Sequence, residues 1–448
     1  MNIAIVNVYN SSARSAINKD LNGGFGTRND FGSTWTSRLV RFMSRRGLRL
    51  PIVSLAYLNA VLRQAGHRVE FHEIPPESAA EVSQDAEVVL IYGSIVDYRN
   101  ELSFFRRLKL YRPTCRAGFV GAFPSVRPDL FTEADFVVVG EPEALEPHVF
   151  ESGSLSGEIR CTSLADMQVL PTPCYDGFPI GRYSYRPALS KRPFLTLEAS
   201  RGCPYSCGYY CTYGNNQGAV IRQRSASLVV DDMSLLVERH GARALQFRDP
   251  IFGLRPGFAE VLAEEILQRG LQVDWGIETR LDLLDEVTLR HMHRAGLRNI
   301  NAGIETSDLR VAKLNKRLLV KLEHQEGVVR HCKSLGVNLS AFYILGLEGD
   351  DEESARATID YAIHLNAPLA RFAMSTPYPG TGYYKQLESE GRILTRDYEE
   401  YTQFNPVHTH GTLDGEQLRN LLEEAYRRYY FRPAFVSRAV MSQLRQLR

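Results

Sequence analysis

Phe194-Leu195-Thr196-Leu197-Glu198-Ala199-Ser200-Arg201-Gly202-Cys203-Pro204-Tyr205-Ser206-Cys207-Gly208-Tyr209-Tyr210-Cys211-Thr212-Tyr213-Gly214 decides how the rest of the chain is read. The apolar run over 194–199 is expected as a strand, and three cysteines follow it within nine residues. Steps of four would put the sulfurs of Cys203, Cys207 and Cys211 on one stripe of a helix. Pro204, with Gly202, Gly208 and Gly214, works against a regular helix and favours a folded loop that presents three thiolates. A structural zinc normally takes four protein ligands, and no nearby Cys or His supplies the fourth. Three thiolates suit a 4Fe–4S cluster with one iron left open. A zinc staple and three inert buried thiols are the competing readings.

Downstream of this loop, strand-then-helix units repeat. Strands are expected over 194–199, 244–248, 273–278, 299–303, 338–344 and 371–375, with helical runs between them, such as 257–269 and 352–365. Six units at this spacing suggest a partial (β/α)6 barrel over 194–390, whose functional groups would sit on the loops after the strands. Upstream, residues 1–150 alternate in the same way, with strands expected over 2–9, 67–74, 86–92, 116–121 and 135–139. The stretch 54–64, closed by Ala65-Gly66, is expected as an amphipathic helix with its terminal glycine. This order favours a parallel, doubly wound, Rossmann-like domain. Its first loop carries Gly23-Gly24-Phe25-Gly26, a run able to approach a ligand or simply to flex. Residues 151–193, with Pro171, Pro173, Pro179 and Pro187, read as a wrapping linker, and 391–448, including a helix over 416–430, as a helical C-terminal cap. The fold class is therefore α/β.

At 448 residues the chain has room for two to three domains. With 53 Lys+Arg against 52 Asp+Glu, the net charge of +1 argues against nucleic-acid binding through a broad basic field. No stretch nears the roughly 18 consecutive apolar residues of a membrane span. The sequence turns apolar at Ile3 without a basic leader, so the expected location is the cytoplasm. Cys115, Cys161, Cys174 and Cys332 lie far apart, which speaks against a disulfide framework.

The cysteine loop and the barrel resemble the radical S-adenosylmethionine superfamily, although most members space the cysteines by three and then two residues, and here the spacing is three and three. The resemblance implies that S-adenosylmethionine chelates the open iron and is cleaved to methionine and a 5′-deoxyadenosyl radical. It also implies roles for segments after later strands. Asp249, in Arg248-Asp249-Pro250-Ile251-Phe252, would accept from the cofactor's amine. Glu278 and Arg280, in Glu278-Thr279-Arg280-Leu281-Asp282, follow the third strand, and Arg280 would fork onto a carboxylate. Glu305 would accept from ribose hydroxyls, and the segment with Tyr343 and Gly346 would approach adenine. Thr376-Pro377-Tyr378-Pro379-Gly380-Thr381 resembles the sixth-strand turn of members that carry a cobalamin-type N-terminal domain.

Many cobalamin domains offer an Asp-x-His-x-x-Gly loop, and none is present; His67 and His72 fall in or beside an expected strand and read as ordinary partly buried histidines. Cobalamin is therefore not expected as a cofactor. The unusual cysteine spacing, with this domain order, resembles the radical dehydratases of apramycin-type aminoglycoside pathways that act on paromamine. That likeness implies hydrogen abstraction from C4′ and loss of the 3′-hydroxyl as water. It also implies an NADPH-dependent reductase partner for the ketone and a flavodoxin or ferredoxin as electron donor. Tyr209, Tyr210 and Tyr213 are the candidate catalytic bases beside the cluster, with packing as their plainer role. Glu198, Glu278, Asp282, Glu348 and Asp350 are candidates to meet substrate ammonium groups. The rival readings are a cobalamin-dependent radical methyltransferase and a zinc-stapled, non-catalytic scaffold.

Overall fold

In the computed structural model, residues 1–9, 17–28, 47–145, 148–151, 155–433 and 435 are described. The first sheet has six strands: β1 Asn2–Val8, β2 Arg68–Ile74, β3 Val88–Tyr92, β4 Arg116–Val120, β5 Phe136–Val139 and β6 Gly157–Arg160. Their order is β2-β1-β3-β4-β5-β6, and every pairing is parallel. Six of the seven β1 residues and all five of β3 are buried, as expected of strands covered by helices on both faces. The helix Val53–Gln64 forms one such cover and packs on β2. Strand order turns at β1, so the crevice above the carboxyl ends of β1 and β3 is where a ligand of such a sheet sits.

One expectation is corrected here. The sequence pattern places residues 157–160 in a linker, yet they form the edge strand β6, in register with β5 from Phe136↔Gly157 to Val139↔Arg160. Three of its four residues, Gly157, Glu158 and Arg160, are exposed, so it carries none of the apolar alternation by which a strand is recognised.

The second sheet contains β7 Phe194–Leu197, β8 Ala244–Phe247, β9 Asp274–Thr279, β10 Leu297–Glu305, β11 Asn338–Leu345 and β12 Leu369–Met374. These pair in sequence order, all parallel, as an open six-stranded barrel. Helices Ala226–His240, Phe258–Gln268, Glu286–Arg294, Leu322–Leu335 and Glu352–Leu365 alternate with the strands. The helix Gly415–Tyr430, opened by an Asp414–Gln417 capping box, lays Leu418, Leu421, Leu422, Ala425, Tyr426 and Tyr429 against the last strands. No helix among the described residues is long and apolar enough to cross a membrane.

The carboxyl ends of the two sheets face each other across residues 17–28. Asp20, in the loop after β1, pairs with Arg248, just after β8, at 2.7 Å. The Thr212 hydroxyl and the Asn216 amide, in and beyond the cysteine loop, donate to the carbonyls of Asn22 and Gly23 at 2.8 and 2.6 Å. Phe25 is fully buried against Phe123 of the first domain and Tyr378 of the barrel.

Candidate active site

The cysteine loop leaves β7 through Ser200–Arg201 and closes with one 3-10 turn, Ser206–Tyr209. Gly202 holds φ +90 with the Val220 carbonyl against the place of its absent side chain, so only glycine passes the chain into Cys203 here. The Cys203 N–H donates to Gly218 O, and the Cys211 N–H to Cys207 O, both at 3.0 Å. Among the described residues no three His, Cys, Asp or Glu side chains converge tightly enough to hold one metal ion. The three thiols are nonetheless close enough that Cys207 raises the pKa of both its neighbours. Burial is the larger cause, and it pushes the Cys211 thiol up to about 12. Left alone, that thiol stays protonated at neutral pH; a metal–sulfur group that bonds the thiolate removes the penalty. The donor set, three mutually close thiols with cations beside them, fits an iron–sulfur group.

Those cations are Arg317 and Arg280. Arg317 reaches the Cys207 sulfur at 4.0 Å, donates to Gly303 O at 2.5 Å and lies 3.7 Å from Glu305. Glu305 sits at φ +70 where the register between β10 and β11 shifts, an uncommon backbone state for a residue other than glycine. Burial raises its pKa, and the Arg317 charge opposes that rise. Arg280 forks onto Asp282 at 2.9 and 3.0 Å, covers the Tyr205 ring at 4.5 Å and keeps one buried N–H, Nη1, without a partner. The Tyr210 hydroxyl is buried and unpartnered too, beside Glu305, Arg317, Cys207 and Cys211. Unsatisfied buried donors are rare in native structures, and these two lie beside the thiols, where a further group would satisfy them.

Tyr213 donates to Glu278 at 3.3 Å, and Glu278 also meets Arg248 and, at 3.3 Å, Asn301. Arg248 thereby links Asp20 of the first domain to Glu278 of the barrel. Tyr209 lies toward the outside: it hydrogen-bonds Gln386, packs 5.6 Å from Tyr383 and lies beneath the Lys316 ammonium at 4.6 Å.

Three residues expected at the cofactor make contacts within the protein. Asp249 is fully buried with both oxygens engaged, by Ala199 N–H at 2.9 Å and Ser200 Oγ at 2.6 Å, so it braces the start of the cysteine loop. Tyr343 belongs to the helix-facing parity of β11 and stacks on Phe372 at 5.1 Å; Phe342 and Ile344 take the opposite, partly open face. Gly346 holds φ +75, a state that favours glycine, with a Leu418 methyl 2.5 Å from the place of its absent side chain. Sequence reasoning missed Arg317, Asp20 and the role of Arg248 as a bridge, since each acts across 30 to 228 residues of chain. It also missed Arg201, buried among Glu198 at 2.8 Å, Glu143 at 2.7 Å and Glu141 at 3.4 Å, which ties the loop after β5 to the first barrel strand.

The carboxylates expected to receive ammonium groups are all taken. Glu198 pairs with Arg201, Glu278 with Arg248, Asp282 with Arg280, and Glu348 with Arg392 through both oxygens at 3.0 and 3.2 Å. Asp350 is buried on Gly346 N–H and Ser354. Nothing in this set is left over for a polycationic sugar.

No family model matches the chain. An uncharacterized methyltransferase of Pyrococcus horikoshii is 27% identical over 63% of this chain and 60% of its own length. The anaerobic magnesium-protoporphyrin IX monomethyl ester cyclase of Rubrivivax gelatinosus is 30% identical over 57% and 45%. The hopanoid C-3 methylase of Methylococcus capsulatus is 24% identical over 78% and 71%. The match thus spans about half of the first two relatives' own length. Among solved structures, the radical S-adenosylmethionine methyltransferase TsrM of Kitasatospora setae, with cobalamin and a [4Fe-4S] cluster bound, aligns at TM-score 0.60 and 16% identity over 87% of this chain and 78% of its own. The cobalamin-dependent radical enzyme OxsB, with aqua-cobalamin and S-adenosylmethionine bound, aligns at TM-score 0.68 and 13% identity over 94% and 66%.

These likenesses correct two expectations. The relatives carry the names of methyltransferases and a cyclase, so the lyase reading, dehydration of an aminoglycoside such as paromamine, is withdrawn. The paired carboxylates supply its physical reason. Cobalamin cannot be set aside for want of a histidine loop, because chains of this fold hold it. Two parallel sheets, their carboxyl ends facing across residues 17–28, give this chain the fold of the cobalamin-dependent radical S-adenosylmethionine enzymes.

Proposed function

We propose that this protein is a cobalamin-dependent radical S-adenosylmethionine methyltransferase. One observation carries the reading: the loop after β1, at the carboxyl end of the doubly wound sheet, is joined directly to the cysteine-loop region through Asp20–Arg248 and the Asn22 and Gly23 carbonyls. A methyl carrier seated in the crevice would thus lie beside the place where the sulfonium compound binds. Asn18 Nδ2 and Asn216 Oδ1, on the two sides of this junction, are buried without partners and fit a polar ligand there. The methyltransferase names among the relatives support the same reading.

When bound, an iron–sulfur group on Cys203, Cys207 and Cys211 supplies one-electron cleavage of S-adenosylmethionine, and cobalamin supplies a methyl carrier. The chain's own residues bind and orient. Arg317 balances thiolate charge at Cys207 and fixes the Gly303 carbonyl and Glu305 together, which leaves Glu305 as the ribose acceptor. Arg280 offers its unpaired N–H to a carboxylate. Tyr213 keeps its proton, because burial lifts its pKa to about 12, so it serves as a hydrogen-bond donor to Glu278 and not as a base at neutral pH.

The test is anaerobic reconstitution with iron, sulfide, hydroxocobalamin, a reductant and methyl-labelled S-adenosylmethionine. S-adenosylhomocysteine should form, with one corrinoid retained per chain and label on the corrinoid. Cleavage to 5′-deoxyadenosine alone, with no corrinoid retained, would overturn the assignment.

A further inference from the structure

Residues 309–322 read Leu-Arg-Val-Ala-Lys-Leu-Asn-Lys-Arg-Leu-Leu-Val-Lys-Leu: five cations and no carboxylate, in a chain whose net charge is only +1. Leu309, Leu314 and Leu318 are 54%, 54% and 60% exposed, and Lys313, Lys316 and Lys321 stand exposed among them. Exposed leucines rimmed by charge are what an interaction surface presents. Arg310 is already held by Asp308, Asp351 and the Gly349 carbonyl. Neither Lys313 nor Lys321 has an ion-pair partner among the described residues.

The same segment forms the outer wall of the cysteine loop. The Lys316 carbonyl accepts from Ser206 Oγ at 3.0 Å, and the Lys316 ammonium covers the Tyr209 ring at 4.6 Å. Its neighbour Arg317 turns inward to Cys207 Sγ. One residue therefore faces solvent and the next touches a sulfur ligand, so a molecule resting on this surface lies one side-chain layer from the site where an electron is needed. On the other side of the cysteine loop, Thr212 and Asn216 bond the Asn22 and Gly23 carbonyls of the first domain.

We propose that residues 309–321 are the docking surface for a small acidic electron-transfer protein. The inference rests on the radical reading above. Each productive encounter oxidises the donor by one electron and reduces the iron–sulfur group of this chain by one, with no bond made or broken. Complementary charge speeds such encounters and makes them sensitive to salt, and the exposed leucines give the small apolar centre of a transient interface.

The test uses the reconstituted holoenzyme, Lys313→Glu/Lys321→Glu and the wild type, with reduced flavodoxin or ferredoxin as donor and dithionite as the small-molecule control. Cluster reduction is followed by absorbance and electron paramagnetic resonance. At low ionic strength the double variant should be reduced about tenfold more slowly by the protein donor, with the gap closing as salt rises. Dithionite should reduce both equally. Equal rates with the acidic donor and an unchanged salt dependence would overturn the docking surface. Failure of the wild type to assemble any iron–sulfur signal would overturn the radical reading instead, so the two failures are told apart.

Discussion

β3 and β10 are both central strands, and they carry opposite chemistry. Val88–Tyr92 is apolar and wholly buried; Leu297–Glu305 buries Asn299 at 0% and Asn301 at 2% exposure. The first sheet has helices on both faces, so Val88, Val89, Leu90 and Ile91 lose water where no polar partner is at hand, and only Tyr92, at the end of the strand, bonds a backbone group, the Gly24 carbonyl at 2.7 Å. The barrel has helices outside only. The inner face of β10 meets other polar side chains: Asn299 donates to Gln246 at 3.2 Å and to Asn301 at 3.1 Å, Asn301 donates to Tyr185 at 2.6 Å, and Asn299 Oδ1 is buried without a partner. One sheet is a scaffold; the other is a polar funnel that ends at the cysteine loop.

The sharpest way to separate the two is to remove the sulfurs. Cys203→Ser, Cys207→Ser and Cys211→Ser should each reduce iron per chain to a small fraction of wild type while circular dichroism is unchanged, since the loop adds little to either core. Retained iron in all three variants would break the contrast.

Next in size is Arg201→Met at the junction. It would strand Glu198 and Glu143 in a buried site, and about 3–5 kcal/mol of stability should be lost in urea titration. Leu90→Ala, in the fully buried scaffold strand, should cost about 2–5 kcal/mol and leave iron binding intact. A scaffold variant that lost iron in its folded state would show that the two regions are not independent.

A smaller effect concerns pH. Burial, opposed by Arg201, raises the Glu198 carboxyl from 4.5 to about 7. A raised folded-state pKa means that the folded protein holds the proton more tightly than the unfolded chain. The resulting stability is fully present below about pH 4.5 and disappears as pH rises through about 7. Glu198→Gln should therefore flatten the decline in unfolding free energy between pH 5 and 7.5. An equally steep decline in the variant would place the proton elsewhere.

The smallest effect belongs to Tyr343→Phe. Its hydroxyl is buried without a hydrogen-bond partner, so stability should change by less than about 0.5 kcal/mol or rise slightly. If Tyr343 faces the helices as described, the KM for S-adenosylmethionine should not move; a clear rise would return this residue to the cofactor site.

Much of the scaffold was legible because burial on both faces writes apolar runs into the strands. The expected strands over 86–92 and 116–121 differ from the observed Val88–Tyr92 and Arg116–Val120 only at their ends. β6 was not legible, because an exposed edge strand needs backbone partners but no apolar side chains. The parity of β11 was equally hidden: a one-residue shift exchanges the inner and outer faces, and apolar residues occupy both in Phe342, Tyr343 and Ile344.

By itself the sequence determined the two parallel αβ sheets and the cluster of three thiols, because periodic burial and closely spaced cysteines are local features of the chain. Only the tertiary structure decided which charges meet: Asp20 with Arg248, Arg317 with Cys207, and Arg201 among its three carboxylates. Charged side chains look alike along a sequence. Their roles are set by which opposite charge the fold leaves beside them once water is gone, and that depends on how two separately folded sheets come to face each other.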